Sequence, residues 1–126
     1  MTKYPITPEV FVNVTVGWNP KISKNSTYRV GVGKLYIDRG ASSARFVMAH
    51  QLKQVVNGVR FDTKKKVYLH IVVHKPDMRS DAVNVIDTIC DVVKKVIGVD
   101  DRYFAIALCD WCIDKEHPRI EIGIAQ

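Results

Sequence analysis

The stretch KVYLHIVVH, residues 66–74, constrains this chain more than any other. It is rich in β-branched residues and holds no glycine, so it suits a pleated, buried strand. Pro76 stops it, because a residue without an N–H cannot extend a central strand. The period then changes. Ala82, Ile86, Ile89, Val93 and Val96 recur at helical spacing, which predicts a helix over residues 82–97 with Ser80 or Asp81 as N-cap and Gly98 as stop. A buried strand followed by an amphipathic helix points to the α/β class.

The rest of the chain extends that reading. Residues 11–18, FVNVTVGW, alternate apolar and polar as a strand does. NPKISKNSTYR is loop-like, and VGVGKLYID suits a short hairpin or irregular strand. Its Gly31-Val32-Gly33-Lys34 lacks the second half of a phosphate loop. A helix is predicted over 41–56, with Phe46, Ala49, Leu52 and Val56 on its buried face and Gly58 beyond its end. DTKKK is a basic turn, and residues 102–113 and 119–125 read as two last strands joined by DKEHP. The expected fold is α/β of the α+β type, a mixed β-sheet with two main helices, in a single domain over residues 1–126.

Composition allows this. The 126 residues are 47% apolar and 25% charged, an ordinary globular mix. MTKYPITPEV lacks the apolar core of a secretory leader, and no apolar run is long enough to span a bilayer, so a soluble, cytoplasmic protein is expected. The sequons at Asn13 and Asn25 would then stay unused. Three cysteines, an odd count, argue for free thiols.

Charge divides the chain. Residues 1–76 carry 13 Lys/Arg and 3 Asp/Glu, a net of +10, whereas residues 77–126 carry 6 and 10, a net of −4. A basic half implies a polyanionic partner, most simply nucleic acid. The acidic half needs its own explanation, and SDAVNVIDTICDVVKKVIGVDD alone holds five aspartates. Asn84, Asp87, Asp91 and Lys94 share one polar stripe by helical spacing. Asp77 and Asp81 precede the helix, and Asp100 and Asp101 follow it. Pairing between the strand after Asp101 and the strand before Lys75 would bring these acids to one sheet end. Clustered carboxylates repel unless a cation sits among them, and Mg²⁺ takes oxygen ligands for phosphodiester hydrolysis. On charge pattern alone the plainer account is stronger: a cap, a wet helix face with Asp91 near Lys94 and Lys95, and a turn.

The segment KPDMRSDAVN…CDVVKKVIGVDD resembles the signature of RusA-type Holliday junction resolvases. That signature is an extended strand, a Pro-Asp loop, an Asp-x-Asp-Asn helix start, an Asp within the helix and a downstream Asp-Asp pair. WNPKISKNSTYR…GKLYID resembles the family's N-terminal loop, and PRIEIGI its last strand. The family consists of dimeric, Mg²⁺-dependent endonucleases that cut four-way DNA junctions, many encoded by phages. The resemblance therefore implies a homodimer that hydrolyses phosphodiesters in branched DNA with Mg²⁺, or Mn²⁺ in its place, in a bacterial or phage-infected cell. It implies catalytic roles for Asp81 and Asp101, with Asp100 and Asp91 as further metal ligands. Two positions depart. The second catalytic Asp is Val83 here, and the catalytic Lys is Asp87. Val83 and Asp87 are neighbours on a helix surface, so Asp87 is the candidate replacement carboxylate, with Lys75, Arg79 or Lys94 supplying the positive charge. The alternative is a degenerate member that binds branched DNA without cutting it. The candidate DNA contacts are Lys21, Lys24, Tyr28, Arg29, Lys34, Lys75, Arg79 and Lys94.

Other residues carry less. Cys109 and Cys112 form a CxxC, but three residues apart on a strand they face opposite ways, so both are expected to pack as small apolar side chains. Asp110 is a weak addition to the acids. His70 and His74 share a strand face and are expected to be structural. Lys64–Lys66 read as a solvated turn, and Trp18 and Trp111 as core.

Overall fold

The computed structural model describes residues 4–22, 28–31, 34–37 and 39–126. Four strands form one mixed sheet: β1 (Phe11–Gly17), β6 (Arg119–Ala125), β4 (Val67–Lys75) and β5 (Phe104–Ile113), in that spatial order. β2 (Tyr28–Gly31) and β3 (Lys34–Ile37) make a separate antiparallel pair. The two main helices are α1 (Arg39–Val56) and α2 (Ile86–Ile97). This is the expected α+β fold.

β4 lies inside the sheet, antiparallel to β6 and parallel to β5. That position explains its composition. Val67, Leu69, Ile71 and Val73 are wholly buried on one face, where β-branched side chains pack against the helices. The same face takes Val12, Val14 and Val16 of β1 and Ile120, Ile122 and Ile124 of β6.

The helices seal that face, with one change from the predicted pattern. α1 buries Ala44, Met48, Leu52 and Val56, a four-residue step that runs straight down one side. Phe46, expected in the buried stripe, is 74% exposed. α2 buries Val92 as well as Ile89 and Val93, while Ile86 and Val96 are only half-buried. The turn before it, Ala82–Val85, is 3-10 rather than α. Asp81 occupies its N-cap position, yet its side chain makes no capping bond. At the far end Gly98, at φ 74°, donates its N–H to the Lys94 carbonyl, the left-handed stop that glycine adopts without a Cβ clash. The buried Thr88 hydroxyl donates to the Ile22 carbonyl at 2.6 Å, tying the segment after β1 to α2.

Among the described residues no helix covers the other sheet face. Tyr4 covers part of it, edge-on to Phe11 and His70. Gly123 makes room for that ring, since a Cβ there would run into the Tyr4 hydroxyl. Trp18 packs against the core as expected. Trp111 does not: it lies on β5, an outer strand of this sheet, and is 47% exposed. Among the described residues no helix is long and apolar enough to cross a membrane.

Candidate functional site

Strand direction decides where the acids go. β5 pairs with β4 as expected, but in parallel, with Val67 opposite Phe104 and Lys75 opposite Ile113. Asp77 and Asp81 follow the last residue of β4, and Asp100 and Asp101 precede the first residue of β5. Parallel pairing therefore puts the two sets at opposite ends of the sheet, with α2 spanning the distance between them. The 12 residues of α2 alone rise about 18 Å. Oxygens on one Mg²⁺ lie about 2.1 Å from it. Asp81 and Asp101 thus do not meet on one ion within a chain, and the expected gathering of the acids at one sheet end is corrected. Among the described residues no three His, Cys, Asp or Glu side chains group as metal ligands.

At the far end of α2 the aspartates have other partners. Asp91 Oδ2 accepts from Arg45 Nη1 at 3.3 Å, an ion pair between α2 and α1. Asp101 lies 3.7 Å from Lys94 Nζ, which turns Lys94 from a candidate DNA contact into a counter-charge. Asp100 caps the 3-10 turn Asp101–Tyr103, its carboxylate accepting the Arg102 N–H at 3.0 Å. That hydrogen bond is the main reason its carboxyl stays below the ordinary range. Cys90 records the local charge. Burial first, then the charges of Asp101, Asp87 and Asp91, push its thiol up to about 11. These three aspartates share one electrostatic neighbourhood, and Arg45 and Lys94 offset them there.

The loop end differs. Asp81 and Asp87 are exposed, and Val83 is 66% exposed, so positions 83 and 87 both face outward as the helical spacing predicts. Asp77 accepts the Arg79 N–H at 2.9 Å and pairs with the Arg79 side chain at 3.7 Å. Lys75 is turned inward. It is 3% exposed, donates to the Ser80 carbonyl at 2.7 Å, and holds its ammonium 4.3 Å from the centre of the Trp111 ring. This corrects its reading as a DNA contact: a buried ammonium needs a carbonyl and a ring face close by, and here it ties the 76–80 loop to the sheet. Lys21 is exposed at the same end, because β1 ends beside the start of β6 and the end of β4. Lys24 lies outside the described residues, as do the side chains of Tyr28, Arg29 and Lys34.

A feature the sequence reading passed over lies at the opposite sheet end. Arg60, Lys65, Lys66 and Tyr68, together with Glu9 and Asp62, line an open groove of about 610 Å³. Lys66 Nζ stands 5.7 Å from the centre of the Tyr68 ring. The signal was present in the run Lys64–Lys66 with Arg60 before it and Tyr68 after it, but a basic turn alone does not reveal a groove.

No family model and no curated protein matches this chain.

Proposed function

We propose that the protein is a homodimeric DNA-binding protein that engages branched duplexes, four-way junctions included, without cutting them. The observation that carries this reading is the groove of Arg60, Lys65, Lys66 and Tyr68, set in the half of the chain whose net charge is +10. Lysine and arginine neutralise phosphates and release counterions. Tyr68 offers a ring on which an unpaired base near a junction can stack. Lys21 and Arg79, exposed at the other sheet end, extend the contact across the molecule.

A second reading follows from the RusA-type resemblance, a Mg²⁺-dependent junction endonuclease. The exposure of Asp81 and Asp87 at the loop end favours it. Asp81 and Asp101 of one chain do not meet on one ion, so a site that uses both needs a partner copy to bring its own Asp101 beside Asp81.

Incubating the protein with a labelled four-way junction and a matched linear duplex, with Mg²⁺ and with chelator, separates the readings. Retardation of the junction without nicks, weakening as salt rises, supports the binder. Paired nicks that need Mg²⁺ overturn it in favour of the endonuclease. In that case an equal mixture of Asp81→Asn and Asp101→Asn proteins regains cleavage, because one of the two shared sites is then intact. Absence of both retardation and nicks removes both readings.

A further inference from the structure

Three side chains from three adjacent strands meet on the sheet face opposite the helices, where Arg119 of β6 is directly across from His74 and Glu121 lies two residues further along that strand. Cys112 on β5 sits directly across from His74 on β4, with its Sγ 3.0 Å from His74 Nδ1. On the other side of the ring, His74 Nε2 is 3.3 Å from Glu121 Oε2 on β6. That second approach is an ion-pair contact, not an aligned hydrogen bond. A proton on Nε2, facing the carboxylate, leaves Nδ1 as the acceptor for a thiol proton. A nucleophile, a base and a group that orients the base are the parts of an activated thiol.

We infer that Cys112, His74 and Glu121 form a thiol-modification site that reacts with small disulfides. The Cys112 thiol gives its proton to His74 Nδ1 as its sulfur attacks one sulfur of the disulfide. The disulfide's S–S bond breaks, and a new S–S bond joins Cys112 to one half of the reagent. The other half leaves as a thiolate and takes the proton back from the imidazolium. Cys112 is oxidised and the leaving thiol is reduced, so no further reactant is needed.

The surroundings select this chemistry. Acyl transfer develops an oxyanion that needs hydrogen-bond donors. The charged groups around this thiol are mostly acids: Glu121 behind His74, Asp110 two residues back on the same strand face, and Asp114 just past the strand end. Asp114 and Glu121 hold Arg119 between them, at 2.9 and 3.9 Å. Disulfide exchange builds no oxyanion, and the acidic border favours a neutral or cationic reagent. The other two thiols serve as internal controls. Cys90 and Cys109 are half-buried, and burial raises both above the ordinary thiol value, whereas Cys112 is exposed.

The test treats the full chain with cystamine, a cationic disulfide, and maps the mixed disulfides by mass spectrometry over a pH series. Near neutral pH, Cys112 is expected to react at least about tenfold faster than Cys90 or Cys109, and faster with cystamine than with oxidised glutathione. His74→Gln should slow Cys112 about tenfold near neutral pH and match the wild type in solution alkaline enough to ionise a thiol without a base. Glu121→Gln, at a more exposed position, should show a smaller loss with the same pH signature, and it carries the test if the His74 variant loses its circular-dichroism spectrum. Cys112 reacting no faster than the buried thiols, or with a pH profile unchanged in both variants, overturns the inference.

Discussion

The two ends of α2 carry the same residue type in opposite circumstances. Midway along α2 Asp91 is paired with Arg45, and past its far end Asp101 is paired with Lys94 and Asp100 caps a turn. At the loop end Asp81 and Asp87 are exposed, and Asp81 sits at a cap position without making the cap bond. An aspartate's role is therefore set by what the fold brings within about 4 Å of it, not by the spacing that put it on the helix. The far end uses its acids as structure. At the loop end Asp77 is held by Arg79, Asp81 and Asp87 stay exposed, and the buried charge is one base, Lys75.

Four measurements test how the molecule divides its charged residues between DNA contact and structure. Replacing Arg60, Lys65 and Lys66 together by alanine should weaken junction binding on the order of a hundredfold and reduce the salt slope by about 3. Gel-shift titrations at several salt concentrations measure it. A larger loss from Lys21→Ala with Arg79→Ala would move the main DNA contact to the loop end.

Lys75→Met keeps the aliphatic stem and removes the charged bond to the Ser80 carbonyl, at a cost of about 2 kcal/mol in urea unfolding. Arg79→Met, on the exposed side of the same loop, should change stability by less than about 0.5 kcal/mol. Equal effects would show that Lys75 does not tie down the loop.

Cys90, in the first half of α2, carries a pH signature. Its folded thiol titrates at about 11 against an ordinary 9.0, so between those values the unfolded chain has lost a proton that the folded chain retains. Stability then falls as pH rises through that window. The Cys90→Ala variant lacks this loss, and its stability relative to wild type should rise by about 1 kcal/mol from the bottom of the window to the top, after discount for the thiol's partial exposure. A difference that stays constant with pH would mean that neither burial nor the neighbouring aspartates raise the thiol.

The smallest effect belongs to Asp81→Asn and Asp87→Asn, each expected within about 0.5 kcal/mol of wild type by thermal melting. A cost near that of Lys75→Met would mean that the loop-end acids are structural after all.

Most elements were legible in the sequence because their signals are local. Alternation marked β1, β-branched density marked β4, and Gly98 marked the end of α2. The α1 face was misread at Phe46 because an apolar residue signals burial only where a partner covers it, and at that position none of the described packing does. Cys109 and Cys112 did take opposite faces, as strand geometry requires, with Cys109 packed against the core. What Cys112 meets there, a histidine from a neighbouring strand backed by a glutamate from the next, has no local trace. The groove residues were visible as charges but not as a groove, since its walls come from the N-terminal segment, the stretch after α1 and the chain's last residue.

The periods, the breaks and the charge split each depend on residues close together in the chain. From these follow the α+β class, the two helices and the expectation of a polyanionic partner. That β5 runs parallel to β4 comes from contacts distant in the chain. The direction of pairing rests on contacts between strands separated by a whole helix, and neither strand's own residues encode it. That one choice places Asp81 and Asp101 at opposite ends of α2 and sets Cys112 across from His74, while the pairing of β6 with β4 brings Glu121 to the other side of the ring.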